Sequence, residues 1–373
     1  MGIRGSSTTP LNLENVPVPV ENVLGEIGKG HQIAFNILNV GRLKLGAGCV
    51  GGAKYLLVEA LRWAKQRTAF GHPIADLGLI KEKLGEMIAK TYAVESMSYR
   101  TTGMIEQLLE GVHQGAPTAS AETLAALQEY AVECSILKVM GTEALHFIAD
   151  ESVQIFGGYG FSSEYEVERG FRDQRVNRIF EGTNEINRLL IVDMLLKRSM
   201  KGQLALIPAA EKLADEALSL APSEATPDEA PLAEETRLAE GVKKSALLVA
   251  GSAVRKYMMG LEKEQEIIGA TSNLVMESYA MESALLRAGK KIEKSSPDGA
   301  AWDVDAARTY LHAAADRAES DARRALARIA EGDMLRTQLA LLRRFLKRTP
   351  ADTIGLKRRL ADRALELNRY PFA

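Results

Sequence analysis

Arg175-Val-Asn-Arg-Ile-Phe-Glu-Gly-Thr-Asn-Glu-Ile-Asn-Arg188 is the stretch from which the rest of the chain can be read. It is a loop running into a helix. Glu181 and Gly182 fall in the loop. Thr183 suits a helix cap, because its hydroxyl can accept a bond from an unpaired N–H of the first turn. Ile186, Leu189, Leu190 and Met194 then recur at helical spacing. A carboxylate therefore stands at a helix mouth, beside a glycine that lets another molecule approach the backbone. Two readings fit that pattern: a carboxylate that merely complements the helix dipole, or an acid placed at the edge of a site.

Composition narrows the field. The chain has 373 residues, room for two domains of ordinary size. It is 46% hydrophobic and 26% charged, with a net charge of −2, an ordinary globular balance with no basic excess to suit nucleic acid. Cys49 and Cys134 sit in apolar helical surroundings and read as small core residues, not a disulfide or a metal pair. His31, His72, His113, His146 and His312 are scattered without metal-ligand spacing. No apolar run reaches the ~20 residues that span a bilayer, and the first residues do not read as a signal peptide. The expected compartment is reducing: the cytoplasm of a bacterium, with the inner-membrane surface included, or the matrix side of a mitochondrion.

Around the opening stretch the pattern is helical almost throughout. From Lys29 to about Gln66, Ile33, Ile37, Leu38, Leu43, Leu45, Val50, Leu56, Leu57 and Leu61 keep helix spacing. Glycines at 41, 46, 48, 51 and 52 lower propensity and permit close packing. Two more long helices are predicted, about Gly78 to Gly111 and Ala119 to Phe156, with a loop over 111–117 between them. With the helix after Thr183 these make four, enough for a four-helix bundle. Beyond Met200 a short amphipathic helix is expected over 209–220 and a Pro-, Glu- and Ala-rich linker over 221–231. Helices follow at roughly 235–260, 262–292, 303–331, 333–347 and 351–368, with a loop over 295–299.

Leu11 to Val20 alternates apolar and polar residues like a single strand. A lone strand cannot satisfy its own ladder bonds. The expected architecture is all-α: a remnant strand within 1–27, a four-helix bundle over 28–202, a short helix and linker over 203–234, and a second helical bundle over 235–373.

Five segments then stand out, four of them in the chain order Arg-x-x-Phe-Gly, Gln-x-x-Gly-Gly, Arg-Asp, Glu-Gly-Thr. Ile179-Phe-Glu-Gly-Thr-Asn-Glu-Ile-Asn-Arg188 resembles the catalytic segment of the acyl-CoA dehydrogenases. Arg67-Thr-Ala-Phe-Gly71 resembles that family's Arg-x-x-Phe-Gly, and Gln154-Ile-Phe-Gly-Gly-Tyr-Gly160 its Gln-x-x-Gly-Gly-x-Gly. Arg172-Asp173 stands between the last of these and Glu181, and with Arg175 and Arg178 is expected to fix the loop by ion pairs. Asn39-Val-Gly-Arg42 resembles the segment that contacts acyl-CoA, and the 25 residues from Arg42 to Arg67 match the family in register.

The resemblance implies flavin-dependent α,β-dehydrogenation of a long-chain acyl-CoA thioester in fatty acid β-oxidation. Glu181 would remove the α-proton while a hydride leaves the β-carbon for flavin adenine dinucleotide (FAD). The Glu181 backbone N–H would donate to the thioester oxygen. Arg67, Phe70, Gln154, Gly157, Gly158, Thr183 and Glu185 would contact the cofactor, those of the Arg-x-x-Phe-Gly and Gln-x-x-Gly-Gly-x-Gly segments across a dimer interface. Asn39, Arg42 and Gly182 would contact substrate. Some members carry the base on the first helix; the matching position here is Gly41, which leaves Glu181. The family's N-terminal helical domain and most of its β-domain would precede Met1. The second bundle resembles the extension of the very-long-chain enzymes, associated there with dimer packing and membrane attachment. Electron-transfer flavoprotein would accept the electrons, and segment 197–220 is the expected peripheral membrane contact. The rival expectations are an acyl-CoA oxidase on the same scaffold, a non-catalytic helical assembly protein, and an inactive fragment.

Overall fold

A computed structural model describes residues 1–112, 119–218, 231–296 and 298–372. The chain is all-α. Among the described residues the helices are α1 (Gly30–Gln66), α2 (Gly78–Leu109), α3 (Ala119–Glu129), α4 (Ala131–Phe156), α5 (Glu166–Gln174), α6 (Asn184–Met200), α7 (Leu206–Leu218), α8 (Ala233–Tyr257), α9 (Gln265–Lys294), α10 (Ala301–Ile329), α11 (Gly332–Phe345) and α12 (Thr353–Leu367). The only ladder among the described residues is a two-residue hairpin, β1 (Thr68–Ala69) with β2 (His72–Pro73). Its tip, Phe70-Gly71, has positive φ at both residues, as a tight hairpin turn requires.

Three expectations need correction. Leu11 to Val20 is not a strand: among the described residues no strand lies beside it to supply ladder bonds, Val20 opens a 3-10 turn, and the segment's apolar side chains stand exposed. The predicted helix over Ala119–Phe156 is two helices, broken at Tyr130, whose backbone turns out of helical geometry (ψ 25°). α5 was not expected, because its sequence is mostly charged and offers only Val167 and Phe171 as an apolar pair. The expected loop over 111–117 and linker over 221–231 lie largely outside the described residues.

The first bundle is built on α1 and α4, which run side by side in the same direction. Gly46 allows a close approach: a Cβ there would stand 2.5 Å from Leu137 Cγ and 2.9 Å from the Leu137 carbonyl oxygen. Farther along, Ser152 Oγ donates to Leu56 O at 3.4 Å, and Trp63 stacks on Phe156 at 4.5 Å. Gly48, on the exposed face of the same helix, has open space around it. The two glycines should therefore respond oppositely to alanine. Gly46→Ala should destabilise by about 1–3 kcal/mol through overpacking against backbone. Gly48→Ala should stabilise by up to about 1 kcal/mol, the propensity gain alone. Denaturation midpoints of the two variants check the pair.

The second bundle (α8 to α12) shares one continuous apolar core with the first. α2 is the main seam. On it, buried Glu95 accepts from Arg287 of α9 at 2.7 Å and from the Tyr370 hydroxyl at 3.0 Å, and it pairs with Lys54 of α1. Burying one carboxylate is tolerable because three donors surround it. α7 lies on α8, with Leu213 buried and Ala210 against Gly251, so that face is taken up by protein contact.

Candidate active site

A 3-10 turn over Arg175–Arg178 leads into the loop that opens α6. Thr183 caps that helix as expected, its Oγ1 accepting from the Ile186 N–H at 3.3 Å. Just before it, Glu181 has φ +59° and Gly182 φ +81°. Glycine takes that conformation freely, but a glutamate held there stores on the order of 1 kcal/mol. Something must hold it in place.

Three side chains do. Asn187, fully buried, donates from Nδ2 to Gly182 O at 2.8 Å and Thr183 O at 3.0 Å. Lys138 of α4, also fully buried, donates from Nζ to Gly182 O at 2.7 Å and to Asn184 Oδ1 at 2.7 Å. Arg42 of α1 donates from Nε to Glu181 O at 3.2 Å, and its Nη1 reaches Asn39 Oδ1 at 3.4 Å. With the carbonyls tied down in this way, the Glu181 N–H has no acceptor among the described residues. The carboxylate itself lies over α1: a Cβ on Gly41 would stand 2.5 Å from its Oε2 and 2.6 Å from its Cδ.

Asn39, Arg42, Glu181 and Gly182 therefore lie together. Burial lowers the Arg42 pKa, and the Glu181 carboxylate offsets part of that effect. Glu185 sits exposed on the first turn of α6. Its own backbone N–H, and then the Thr183 hydroxyl, hold its carboxyl below the usual range. Of the arginines expected to fix the loop, Arg178 reaches Glu143 only at 4.0 Å and Arg172 pairs with Glu168, while Arg175 has no ion pair among the described residues.

Arg67, Phe70, Gln154, Gly157 and Gly158 form a second group. Gly157, at φ +62°, ends α4, and the Arg67 guanidinium lies 5.5 Å from the Tyr159 ring. Arg67 and Gln154 are exposed, and Phe70 is 89% exposed at its hairpin tip. The structure does not bring this group to Glu181. Both arginines sit on or at the end of α1, and 25 residues of helix at about 1.5 Å each put them roughly 37 Å apart.

The sequence reading missed the supporting residues Lys138, Glu143, Asn184, Asn187 and Arg188. One signal was available. Lys138 is a charge inside an apolar helical run, between Leu137 and Val139, where a lysine needs a buried acceptor. Burial, and then the neighbouring Arg42 charge, push its pKa down to about 8. The unfolded chain thus binds this proton more tightly between about pH 8 and the model-peptide value near 10.4. Across that window the lysine makes stability rise with pH. Lys138→Met should abolish that rise, and at neutral pH should cost about 1–3 kcal/mol for each acceptor left unpaired. Thermal melts of both proteins on either side of the window check the sign.

The family described as "Acyl-CoA dehydrogenase, C-terminal domain" matches residues 28–196, and a second family of the same description matches 241–344. A "Probable acyl-CoA dehydrogenase" of Bacillus subtilis is 44% identical over 370 residues, which is 99% of this chain and 62% of the relative. The human "Very long-chain specific acyl-CoA dehydrogenase, mitochondrial" is 40% identical over 191 residues, 51% of this chain and 26% of the relative. The crystal structure of an acyl-CoA dehydrogenase complexed with FAD from Bacillus anthracis is 46% identical with a TM-score of 0.93, over 96% of this chain and 61% of that one. The chain thus spans about three-fifths of the relatives that it matches along nearly its whole length.

Proposed function

Because this chain belongs to the acyl-CoA dehydrogenase family, we propose that it supplies the catalytic base for flavin-dependent α,β-dehydrogenation of long-chain acyl-CoA thioesters. The observation that carries the proposal is the Glu181 carboxylate, resting on Gly41 in a left-handed loop tied down by Arg42, Lys138 and Asn187. In that place it accepts the proton from the carbon α to the thioester. The free Glu181 N–H is available to donate to the thioester oxygen as negative charge gathers there. Arg42 keeps the carbonyl of the same residue turned away, so that donor and base act on one substrate from one residue. The long-chain assignment follows the likeness to the very-long-chain relative.

The residues present suit FAD. Arg67 has no ion-pair partner among the described residues and can offer its fork of donors to a pyrophosphate. Gly157 and Gly158 leave open space where side chains would stand, and Phe70 offers an exposed ring. When bound, the flavin supplies the acceptor for the β-hydrogen and its electron pair. The distance of roughly 37 Å along α1 is too long for one cofactor to touch both groups in a single chain. Thr183 and Glu185 would therefore hold it from one subunit, and Arg67, Phe70, Gln154, Gly157 and Gly158 from the other subunit of a homodimer. Electron-transfer flavoprotein is the proposed electron acceptor.

Anaerobic addition of a long-chain acyl-CoA to the flavin-loaded protein tests this. The oxidised flavin band should bleach within the mixing experiment, and faster than with a short-chain thioester. A band that no acyl-CoA bleaches would sink the proposal.

A further inference from the structure

The second bundle reaches the Glu181 loop through an unbroken series of polar contacts. Lys138 joins Gly182 O to Asn184 Oδ1. Asn184, fully buried, donates from Nδ2 to Glu143 Oε1 at 3.1 Å. Glu143 accepts both terminal nitrogens of Arg188 at 2.9 Å, a two-pronged pairing. The remaining guanidinium nitrogen, Nε, donates to Asn273 Oδ1 on α9 at 2.8 Å. Asn273 in turn donates from Nδ2 to Asp321 Oδ2 on α10 at 2.8 Å, and Arg324 holds the other Asp321 oxygen at 2.7 Å.

We propose that Asn273 is a positioning residue for the Glu181 loop, so that the second bundle acts on the candidate active site through the Asn273–Arg188 contact. The chemistry favours this over incidental surface pairing. An arginine tied at all three nitrogens cannot swing, and a planar carboxylate paired twice cannot rotate. Glu143 thus presents a fixed oxygen to Asn184, and Asn184 a fixed oxygen to Lys138. The loop conformation they stabilise carries the strained residue, so loosening any member lets the strain relax locally. Without Asn273, Arg188 keeps Glu143 but loses its anchor to α9, and the packing of α6 on α9 alone must fix its angle. The functional consequence rests on Glu181 being the base. The measurement that decides the proposal needs neither flavin nor turnover.

That measurement is amide hydrogen exchange of the purified chain over residues 179–187, compared with residues 265–280 of α9. In Asn273→Leu, exchange in the loop segment should rise about tenfold while α9 keeps its protection, as expected of a local opening. The exchanged pair Asn273→Asp with Asp321→Asn keeps both contacts, the bond from Arg188 Nε in its original direction and the 273–321 bond with donor and acceptor reversed, and it should restore wild-type protection. Two results would overturn the proposal. One is a loop in Asn273→Leu that exchanges as slowly as wild type. The other is an exchanged pair as unprotected as Asn273→Leu, which would assign the loss to packing of α6 on α9 and not to the polar series. If the series holds and acyl-CoA still fails to bleach the flavin, only the proposed reaction falls.

Discussion

Glu181→Gln should retain the fold and the affinity for acyl-CoA and lose about 10²–10⁴ of turnover, the usual contribution of a positioned general base. The amide keeps the volume and shape of the carboxylate above Gly41, and none of the bonds that hold the loop involve the carboxylate oxygens. Arg42 Nε meets the Glu181 backbone carbonyl, and Asn187 and Lys138 meet the carbonyl of Gly182. The left-handed φ at position 181 is as costly for glutamine as for glutamate, so the stored strain is unchanged. What disappears is the one group able to take the α-proton, because an amide oxygen is too weak a base. The loss should therefore fall on kcat, with KM little altered. Turnover with an artificial electron acceptor, alongside acyl-CoA binding followed by flavin absorbance, separates the two. A variant with turnover near wild type would remove Glu181 from the mechanism and leave the loop's strain without a purpose.

The long helices were legible because burial imposes a period. Leu84, Met87 and Ile88 of α2 and Leu137 of α4 are all fully buried where the apolar spacing put them. The cap at Thr183 was legible because it does a local job that its chemistry announces, whereas the loop acid stood open to two readings until the motifs were taken together as a family resemblance. Long-range pairing was not legible. Nothing local says that Lys138 lies beneath Gly182, or that Arg188 is shared between Glu143 and Asn273, since those contacts join residues 44, 45 and 85 positions apart. Leu11 to Val20 failed for the opposite reason. Its alternation is a real local signal, but a strand exists only with a partner beside it. The break at Tyr130 was hidden because helix-forming residues continue on both sides of it.

Gly41→Ala should separate activity from stability, and in opposite directions. In most helix positions alanine gains about 1 kcal/mol over glycine. At Gly46 the added methyl would meet backbone, which cannot give way. At Gly41 it would meet the Glu181 carboxylate, with Oε2 at 2.5 Å and Cδ at 2.6 Å. That carboxylate is the far end of a flexible side chain, so it can swing aside at little cost to folding. The variant should therefore melt no lower than wild type. The swing nevertheless moves the base from the place the loop prepares for it, and a displacement of about 1 Å costs on the order of 10²-fold in rate. The Glu181 backbone N–H, held through Arg42 and Gly182, stays where it was, so thioester binding should survive. A thermal melt and a turnover assay on the same preparation read both effects. If the variant turns over like wild type, the working position of the carboxylate is not the one above Gly41, and the geometry assigned to proton removal is wrong even with Glu181 as the base.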